Sequence, residues 1–475
     1  MLHFVQHDTV VGRRAVRQQR ALFATRKPEG QPAEGEHVAR VKIAYVGGGS
    51  TRAPGTMASL IAQGENFDGS EIVLIDLDAE RLALVKTLAE KMARCKGLDL
   101  TISTTTDRRA GLTDCDAVLS SYRPGGFDAR VNDEQIPLKY DVIGQETQGP
   151  GGFFMALRSI QVMKGIVADL EQVAPRAVIV NYTNPVNIVA QAVTTNSDIP
   201  FVSLCEGPII YPEEIARAAG LDPEKLDVRS IGLNHASWSV RHRYDGHDLM
   251  PLLADAREAV RDDATIRLST RRALAIAVAL GSIPSEYMQY YYFTGEVLDE
   301  LRAKPTSRAQ DILSWVPDYW VHYREQAERD CPDLDPARAR GGIHELELAI
   351  DVMDAIFNDR KELLPVNVPN RGVIPDLPDD LVVETLGYVD AAGVAPVALG
   401  PLPKPAAGLV KALGQYQTLA AEAAWNGTRR DAIRALLANP FCTSLPQTEA
   451  MYDEMAHAHG AFLPERLLPE TSPTA

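Results

Sequence analysis

Cysteine is scarce in this chain and badly spaced for crosslinking. There are five, Cys95, Cys115, Cys205, Cys331 and Cys442, and no CxxC occurs. An odd number at wide spacing argues against a disulfide framework and fits a reducing cytoplasm. Long apolar runs are missing too. None approaches the roughly 18 residues a membrane span needs, so no membrane partner is expected. Positive charge is outweighed, 48 Lys and Arg against 64 Asp and Glu, for a net charge of −16. That balance cannot neutralise phosphates over a wide face, which excludes a general nucleic-acid binder. It leaves room for a local basic pocket for one anionic small molecule. The first 38 residues lack the apolar stretch of a secretory signal and carry Arg13, Arg14, Arg17, Arg20, Arg26 and Lys27. They read as a disordered N-terminal extension. No internal repeat of fixed period is present.

What remains is the composition of an ordinary globular protein, with 475 residues, enough for two domains or joined lobes. The chain is organised around Val41-Lys-Ile-Ala-Tyr-Val-Gly-Gly-Gly-Ser-Thr-Arg-Ala-Pro54. An apolar strand stops at Gly47, Gly48 and Gly49, passes Ser50 and Thr51, and gives way to helical spacing at Met57, Leu60 and Ile61. Such a strand–turn–helix opens a dinucleotide-binding fold. Its glycines admit a pyrophosphate, and the helix N-terminus favours the negative charge. A second apolar strand ends at Asp76, where an acidic residue would meet the adenosine ribose hydroxyls and favour NAD over NADP.

Further strands and helices alternate, predicting a mostly parallel, doubly wound α/β sheet of the Rossmann type. Helices are expected over 80–95 and 153–173. Strands are expected at 98–104, 117–122, 177–185 and 201–208. The stretch Asp141-Val-Ile-Gly-Gln-Glu-Thr-Gln-Gly-Pro-Gly-Gly152 is too rich in glycine for a core helix and reads as a functional loop or linker. Beyond 226 the pattern changes to strands around Asn234-His235 and then long helical stretches, including 255–279 and 401–439. The predicted organisation is an NAD-binding domain over 39–208, an α+β domain for substrate and metal over 209–462, and a loose tail over 463–475.

Polar groups cluster where apolar strands end: Arg123, Asn181 with Asn184, Cys205 with Glu206, and Asn234 with His235. In a doubly wound sheet the first three would face one crevice. Cys205 and His235 are metal-ligand types. Each alone reads equally as a small core residue or a hydrogen-bonded histidine. Tyr287 follows a Pro turn in Ile283-Pro-Ser-Glu-Tyr-Met-Gln-Tyr-Tyr-Tyr292. A Tyr beside a cation can act as a base, while its aromatic neighbours read as packing.

With these segments quoted, the chain resembles glycoside hydrolase family 4, the NAD-dependent glycosidases. The matching motifs are GGGST at 47–51, RPGGFDAR at 123–130, DEQIPLKYDVIGQETQGPGG at 133–152 and NYTNP at 181–185. The Cys205 segment, LNH at 233–235, IPSEYMQYYY at 283–292 and VNVPNRGVIPDLPDDLVVE at 366–384 follow in family order. Glycosidases usually work with a pair of carboxylates, and this NAD-dependent family is an exception. The resemblance implies a second lobe of the lactate/malate dehydrogenase kind and an oxidation-assisted elimination. NAD would oxidise sugar C3, Tyr287 would remove the acidified C2 proton, the aglycone would leave, water would add at C1 and the hydride would return. A divalent ion, typically Mn²⁺, would sit on Cys205 and His235 as a Lewis acid. Gly47 to Thr51, Asp76 and Arg123 would hold the cofactor, Asn184 the sugar, and Arg130 and Arg308 a sugar 6-phosphate. Relatives of this kind suggest a homodimer or homotetramer.

One position departs from the family pattern. After the Cys, α-acting members tend to carry Asp and β-acting members Asn, whereas this chain has Glu206. Glu206 is the expected acid for the leaving group, with anomer and sugar left open. The alternatives are an unphosphorylated galactoside or uronide as substrate, a plain NAD-dependent dehydrogenase, and a non-catalytic NAD sensor. A dehydrogenase would need a catalytic His–Asp pair, and a sensor would need neither the metal pair nor Tyr287.

Overall fold

A computed structural model describes residues 38–338 and 346–469. The expected N-terminal extension, apart from Val38, lies outside the described residues. Six strands are mutually parallel: β1 (Lys42–Val46), β2 (Glu71–Ile75), β3 (Thr101–Thr105), β4 (Ala117–Ser120), β5 (Val178–Asn181) and β6 (Phe201–Ser203). Their order is β3-β2-β1-β4-β5-β6, so the winding reverses between β1 and β4. That reversal opens a crevice at the carboxyl ends of the strands.

Side chains alternate across each strand, and here both faces are buried. Ala44 and Val46 of β1 pack beneath the helix Gly149–Val173. Ile43 and Tyr45 pack on the opposite face with the helices Ala53–Ala62 and Ala79–Lys96. Among the described residues the second lobe builds no sheet of its own. The strands β7 (Leu226–Leu233), β8 (Ala236–Tyr244), β9 (His247–Asp248), β10 (Glu362–Pro369), β11 (Val382–Asp390) and β12 (Gly393–Pro396) continue the first one. β10 runs antiparallel to β6, pairing Asn367 with Ser203. The helix Lys404–Trp425 returns to the N-terminal lobe, burying Tyr416, Ala420 and Ala424 against Phe153, Leu157 and Ile160.

Four expectations are corrected. The Gly-Pro-Gly-Gly run at 149–152 is not loop but the first turn of the helix Gly149–Val173. A Cβ at Gly151 would lie 2.3 Å from the Gln145 carbonyl oxygen, so close packing, not flexibility, demands glycine there. The helical stretch 255–279 is two helices, Met250–Arg261 and Leu268–Leu280. Between them Asp263 accepts from the Thr265 N–H and hydroxyl, a local turn that competes with the helix. The chain from 463 to 469 is docked, not loose. Leu467 is buried, its carbonyl accepts from the Tyr452 hydroxyl at 2.7 Å, and Arg466 donates to the Gly427 carbonyl at 2.6 Å. Finally, Cys95 and Cys331 form a disulfide with Cα atoms 5.8 Å apart. The helix Ala79–Lys96 packs beside the helix Arg308–Glu328, and Lys91 donates to the carbonyls of Ala327 and Arg329. Spacing along the chain could not reveal a pair 236 residues apart.

The helices around the crevice are locked by a buried charge cluster. Arg158 donates to both carboxylate oxygens of Asp133, at 2.9 and 2.6 Å, and His459 Nε2 lies 3.0 Å from Asp133 Oδ1. All three side chains are inaccessible to solvent. Burial alone would raise the Asp133 pKa, but Arg158 holds it below the usual carboxylate range. Burial lowers the His459 pKa, outweighing the pull of Asp133. Removing the Asp133 carboxylate leaves the buried Arg158 charge without its partner. Asp133→Asn should therefore cost about 3–5 kcal/mol in urea unfolding at pH 7. The folded chain keeps His459 neutral, so the unfolded chain binds that proton first as pH drops below about 6.5. Stability should fall from there downward, and His459→Gln should make the decline between pH 7 and 5 shallower.

Candidate active site

The crevice is built from strand ends inward. After β1 the chain turns through Gly47, whose φ is +101° and whose N–H donates to the Ile75 carbonyl at 2.9 Å. A Cβ at Gly47 would sit 2.1 Å from the Ser121 carbonyl oxygen, and one at Gly48 2.8 Å from Leu74 Cβ. The turn is thus pressed against β2 and the end of β4, as a phosphate-cradling loop must be. Asp76 fixes it from β2, accepting from the Gly49 N–H at 3.0 Å and the Leu77 N–H at 2.7 Å. A cleft beside the loop is lined by Ser50, Thr51, Arg123, Tyr182 and Asn184. The glycine cradle and the acidic residue after β2 fit a dinucleotide.

Asn181 ties the ends of β4, β5 and β6 together. It accepts from the Ser120 hydroxyl at 2.6 Å and donates to the Ser203 hydroxyl at 2.8 Å. This brings Asn184 and the segment Cys205-Glu206 to the crevice. Asn234-His235 is a two-residue turn between β7 and β8, with Leu233 paired to Ala236. His235 adopts φ of +62°, in the left-handed region. The Asn234 amide donates to Glu384 on β11 at 2.9 Å and holds the turn down.

Cys205 Sγ and His235 Nε2 lie 3.7 Å apart. Two ligands on one ion, at about 2.3 Å from sulfur and about 2.1 Å from nitrogen, would stand ~3.6 Å apart at a tetrahedral angle. The donor set therefore fits a shared divalent cation. Among the described residues no group of three or more His, Cys, Asp or Glu could hold a metal. Two protein donors would leave the ion's other positions to water or substrate. Burial lowers the His235 pKa to about 3, keeping the imidazole neutral. Burial, then Glu384 and Glu206, push the Cys205 thiol up, so a cation is what would draw its proton away.

Tyr287 stacks on His235, ring centroids 3.7 Å apart and planes within 10°. Burial first, then Glu146 and Cys205, raise its pKa well above that of a free phenol. Base behaviour at Tyr287 thus requires a neighbouring cation. Glu206 accepts a 2.7 Å hydrogen bond from the Tyr182 hydroxyl. Arg123 and Arg130 share one carboxylate, Glu146, at 2.6 and 2.8 Å. Arg130 also pairs with Glu134 at 2.6 Å, and Glu134 accepts from the Ala309 N–H at 2.8 Å. On the outer side lies a cavity of about 550 Å³, lined by Arg130, Lys139, Tyr290, Arg302, Lys304 and Arg308. Arg308 opens the helix Arg308–Glu328 and lies 5.0 Å over the Trp315 ring.

The structure brings Cys205, His235 and Tyr287 into contact, lines one cleft with Ser50, Thr51, Arg123 and Asn184, and places Arg130 and Arg308 on a separate cavity joined to that cleft through Glu146. Sequence reasoning gave no role to Glu146, Thr147, Tyr182 or Glu384. The signal for the first two was a run of polar side chains within a glycine-rich loop, where packing cannot explain them.

Comparison with known proteins agrees with this geometry. Residues 42–221 match Family 4 glycosyl hydrolase, and residues 230–442 match the Family 4 glycosyl hydrolase C-terminal domain. A probable 6-phospho-beta-glucosidase of Bacillus subtilis (strain 168) is 34% identical over 434 residues, 90% of this chain and 98% of the relative. The 6-phospho-beta-glucosidase of Escherichia coli (strain K12) is 29% identical, over 90% and 96%. A 6-phospho-alpha-glucosidase from gut microorganisms, solved with NAD and glucose-6-phosphate, superposes with a TM-score of 0.78 at 28% identity, covering 91% of this chain and 100% of that one. The Thermotoga maritima 6-phospho-beta glucosidase, solved with manganese, NAD+ and glucose-6-phosphate, gives 0.77 at 25%, covering 89% and 99%. With both domains matched in order and the dinucleotide loop, Cys–His pair and Tyr287 assembled at one crevice, this chain belongs to glycoside hydrolase family 4.

Proposed function

We propose that this protein is an NAD- and divalent-metal-dependent glycosidase acting on a 6-phosphoglucoside. The observation that carries the reading is the convergence of Cys205, His235 and Tyr287 beside the loop that carries Glu146 and Thr147. NAD held by the Gly47–Thr51 loop would supply a hydride acceptor for the sugar, and a divalent ion held by Cys205 and His235, Mn²⁺ by analogy, would supply Lewis-acid polarisation. The protein's own groups handle the protons. Tyr287 takes the C2 proton, and Glu206, steadied by Tyr182, gives one to the departing glycosidic oxygen. Asn184 orients the sugar beside Cys205. Arg130 and Arg308, on the wall of the cavity, offer guanidiniums to the 6-phosphate. Asp76 would favour NAD over NADP by accepting from ribose hydroxyls where a 2′-phosphate would be repelled.

One observation favours a second reading. Arg130 already carries two carboxylates, Glu134 and Glu146, which suits a neutral, unphosphorylated galactoside if Arg130 does not exchange partners. Phosphorylated sugars occur inside cells, so the first reading goes with a cytoplasmic enzyme. The Cys95–Cys331 pair removes cysteine usage as an argument for that compartment. The same reading expects a homodimer or homotetramer, to be read by light scattering.

The deciding assay is hydrolysis of p-nitrophenyl α- and β-glucosides, each with and without a 6-phosphate. Cleavage of a phosphorylated pair member is expected only with NAD⁺ and Mn²⁺ both present and without net NADH. Cleavage of unphosphorylated galactosides or uronides alone would move the substrate class, and stoichiometric NADH without nitrophenol would overturn the reading. Tyr287→Phe should lower kcat by about 10²–10⁴-fold, the range for losing a positioned base, with NAD⁺ affinity unchanged. Gly47→Ala should instead weaken NAD⁺ binding at least about tenfold in equilibrium dialysis, because its Cβ meets the Ser121 carbonyl where the pyrophosphate turn must close.

A further inference from the structure

The loop before the helix Gly149–Val173 holds a hydrogen-bond chain whose direction can be read from donors and acceptors alone. Gln145 Oε1 accepts from the backbone N–H of Thr147 at 2.6 Å and of Gln148 at 2.8 Å. A backbone N–H can only donate, so this end of the amide is its oxygen, not its nitrogen. The Thr147 hydroxyl lies 3.0 Å from the same oxygen and donates its proton to it. Its remaining lone pairs face His235 Nδ1, also at 3.0 Å. An acceptor facing Nδ1 calls for a proton on Nδ1. His235 Nε2 is then the bare nitrogen, and it is the one that faces Cys205 Sγ at 3.7 Å.

We infer that Thr147, set by Gln145, is a positioning residue that fixes the Nδ1–H tautomer and ring orientation of His235, so that Nε2 is presented to a divalent cation. This rests on the metal-dependent reading of the same site. Stacking on Tyr287 holds the plane of the imidazole but not which edge points inward. The Thr147 bond distinguishes the two flips and also the two tautomers, because the flipped ring would set a C–H against the hydroxyl. Metal-binding histidines commonly have such a partner on the second nitrogen, and its loss costs about 10–100-fold in metal affinity.

The test uses the full-length protein and Thr147→Val and Thr147→Ser. In the metal-free protein, ¹⁵N-labelled histidine spectra above pH 7.5 should show the His235 resonance, assigned by its loss in His235→Gln, with the proton on Nδ1. That readout does not depend on metal or activity. Valine should mix the tautomers and serine should restore them. Mn²⁺ binding followed by electron paramagnetic resonance should weaken about 10–100-fold in the Val variant and by less than about threefold in the Ser variant. The near-ultraviolet thiolate band of the Co²⁺ form should weaken in parallel, with NAD⁺ affinity unchanged. A proton on Nε2 in the parent protein overturns the inference, as does unaltered Mn²⁺ affinity in the Val variant or equal loss in both variants. If the tautomer is as inferred but neither Mn²⁺ nor Co²⁺ binds the parent protein, the metal reading fails instead.

Discussion

One carboxylate bridges two guanidiniums at the centre of the crevice. Glu146 accepts from Arg123, which follows β4 beside the dinucleotide loop, and from Arg130, which faces the outer cavity. Without it two positive charges would sit close together and largely buried, with only Glu134 on the far side. Charge-assisted bonds of this kind are directional as well as strong. They join the cleft beside Gly47–Thr51 to the cavity lined by Arg130 and Arg308. The loop bearing Glu146 can take this load because Gln145 braces it and because its neighbours Thr147 and Gln148 are bonded to His235 and Tyr291.

Continuity between the lobes comes from backbone as much as from side chains. β10 and β11 extend the parallel sheet across the boundary where a second domain was expected. The helix Arg308–Glu328 also spans the crevice. Its first turn meets Glu134 through the Ala309 N–H, and further along Tyr323 donates to the Thr51 carbonyl at 2.8 Å. A displacement of this helix would therefore be felt at both the Gly47–Thr51 loop and the cavity lined by Arg130 and Arg308. The Cys95–Cys331 bond and Lys91 anchor its far end.

Much of the fold was legible because its signals are local. The apolar runs at 43–46, 71–75 and 117–120 are short, β-rich and bounded by turn residues, and each became a strand buried on both faces. The errors share a cause. Gly149 to Gly152 has a loop's composition, yet the structure uses its missing side chains to let a helix start against the backbone of Gln145 and Thr147. Leu467 looks like part of a proline-rich tail, yet it is buried in the same apolar cluster as Tyr452. In both, the deciding neighbour is distant in sequence or visible only once the backbone is placed.

By itself the sequence determined the strand–glycine–helix unit, the acidic residue after the second strand, the α/β alternation and the residue types available for chemistry. These depend on local sterics and on hydrophobic periodicity, which act over a few residues. Only the tertiary structure decided that Cys205 and His235 share one edge of the crevice, that Tyr287 lies flat on that imidazole, and that Thr147 rather than solvent faces Nδ1. The first and last of these join residues 30 and 88 positions apart, a separation at which no local rule constrains the chain. They exist because the folded sheet brings its strand ends and the β7–β8 turn to a single crevice.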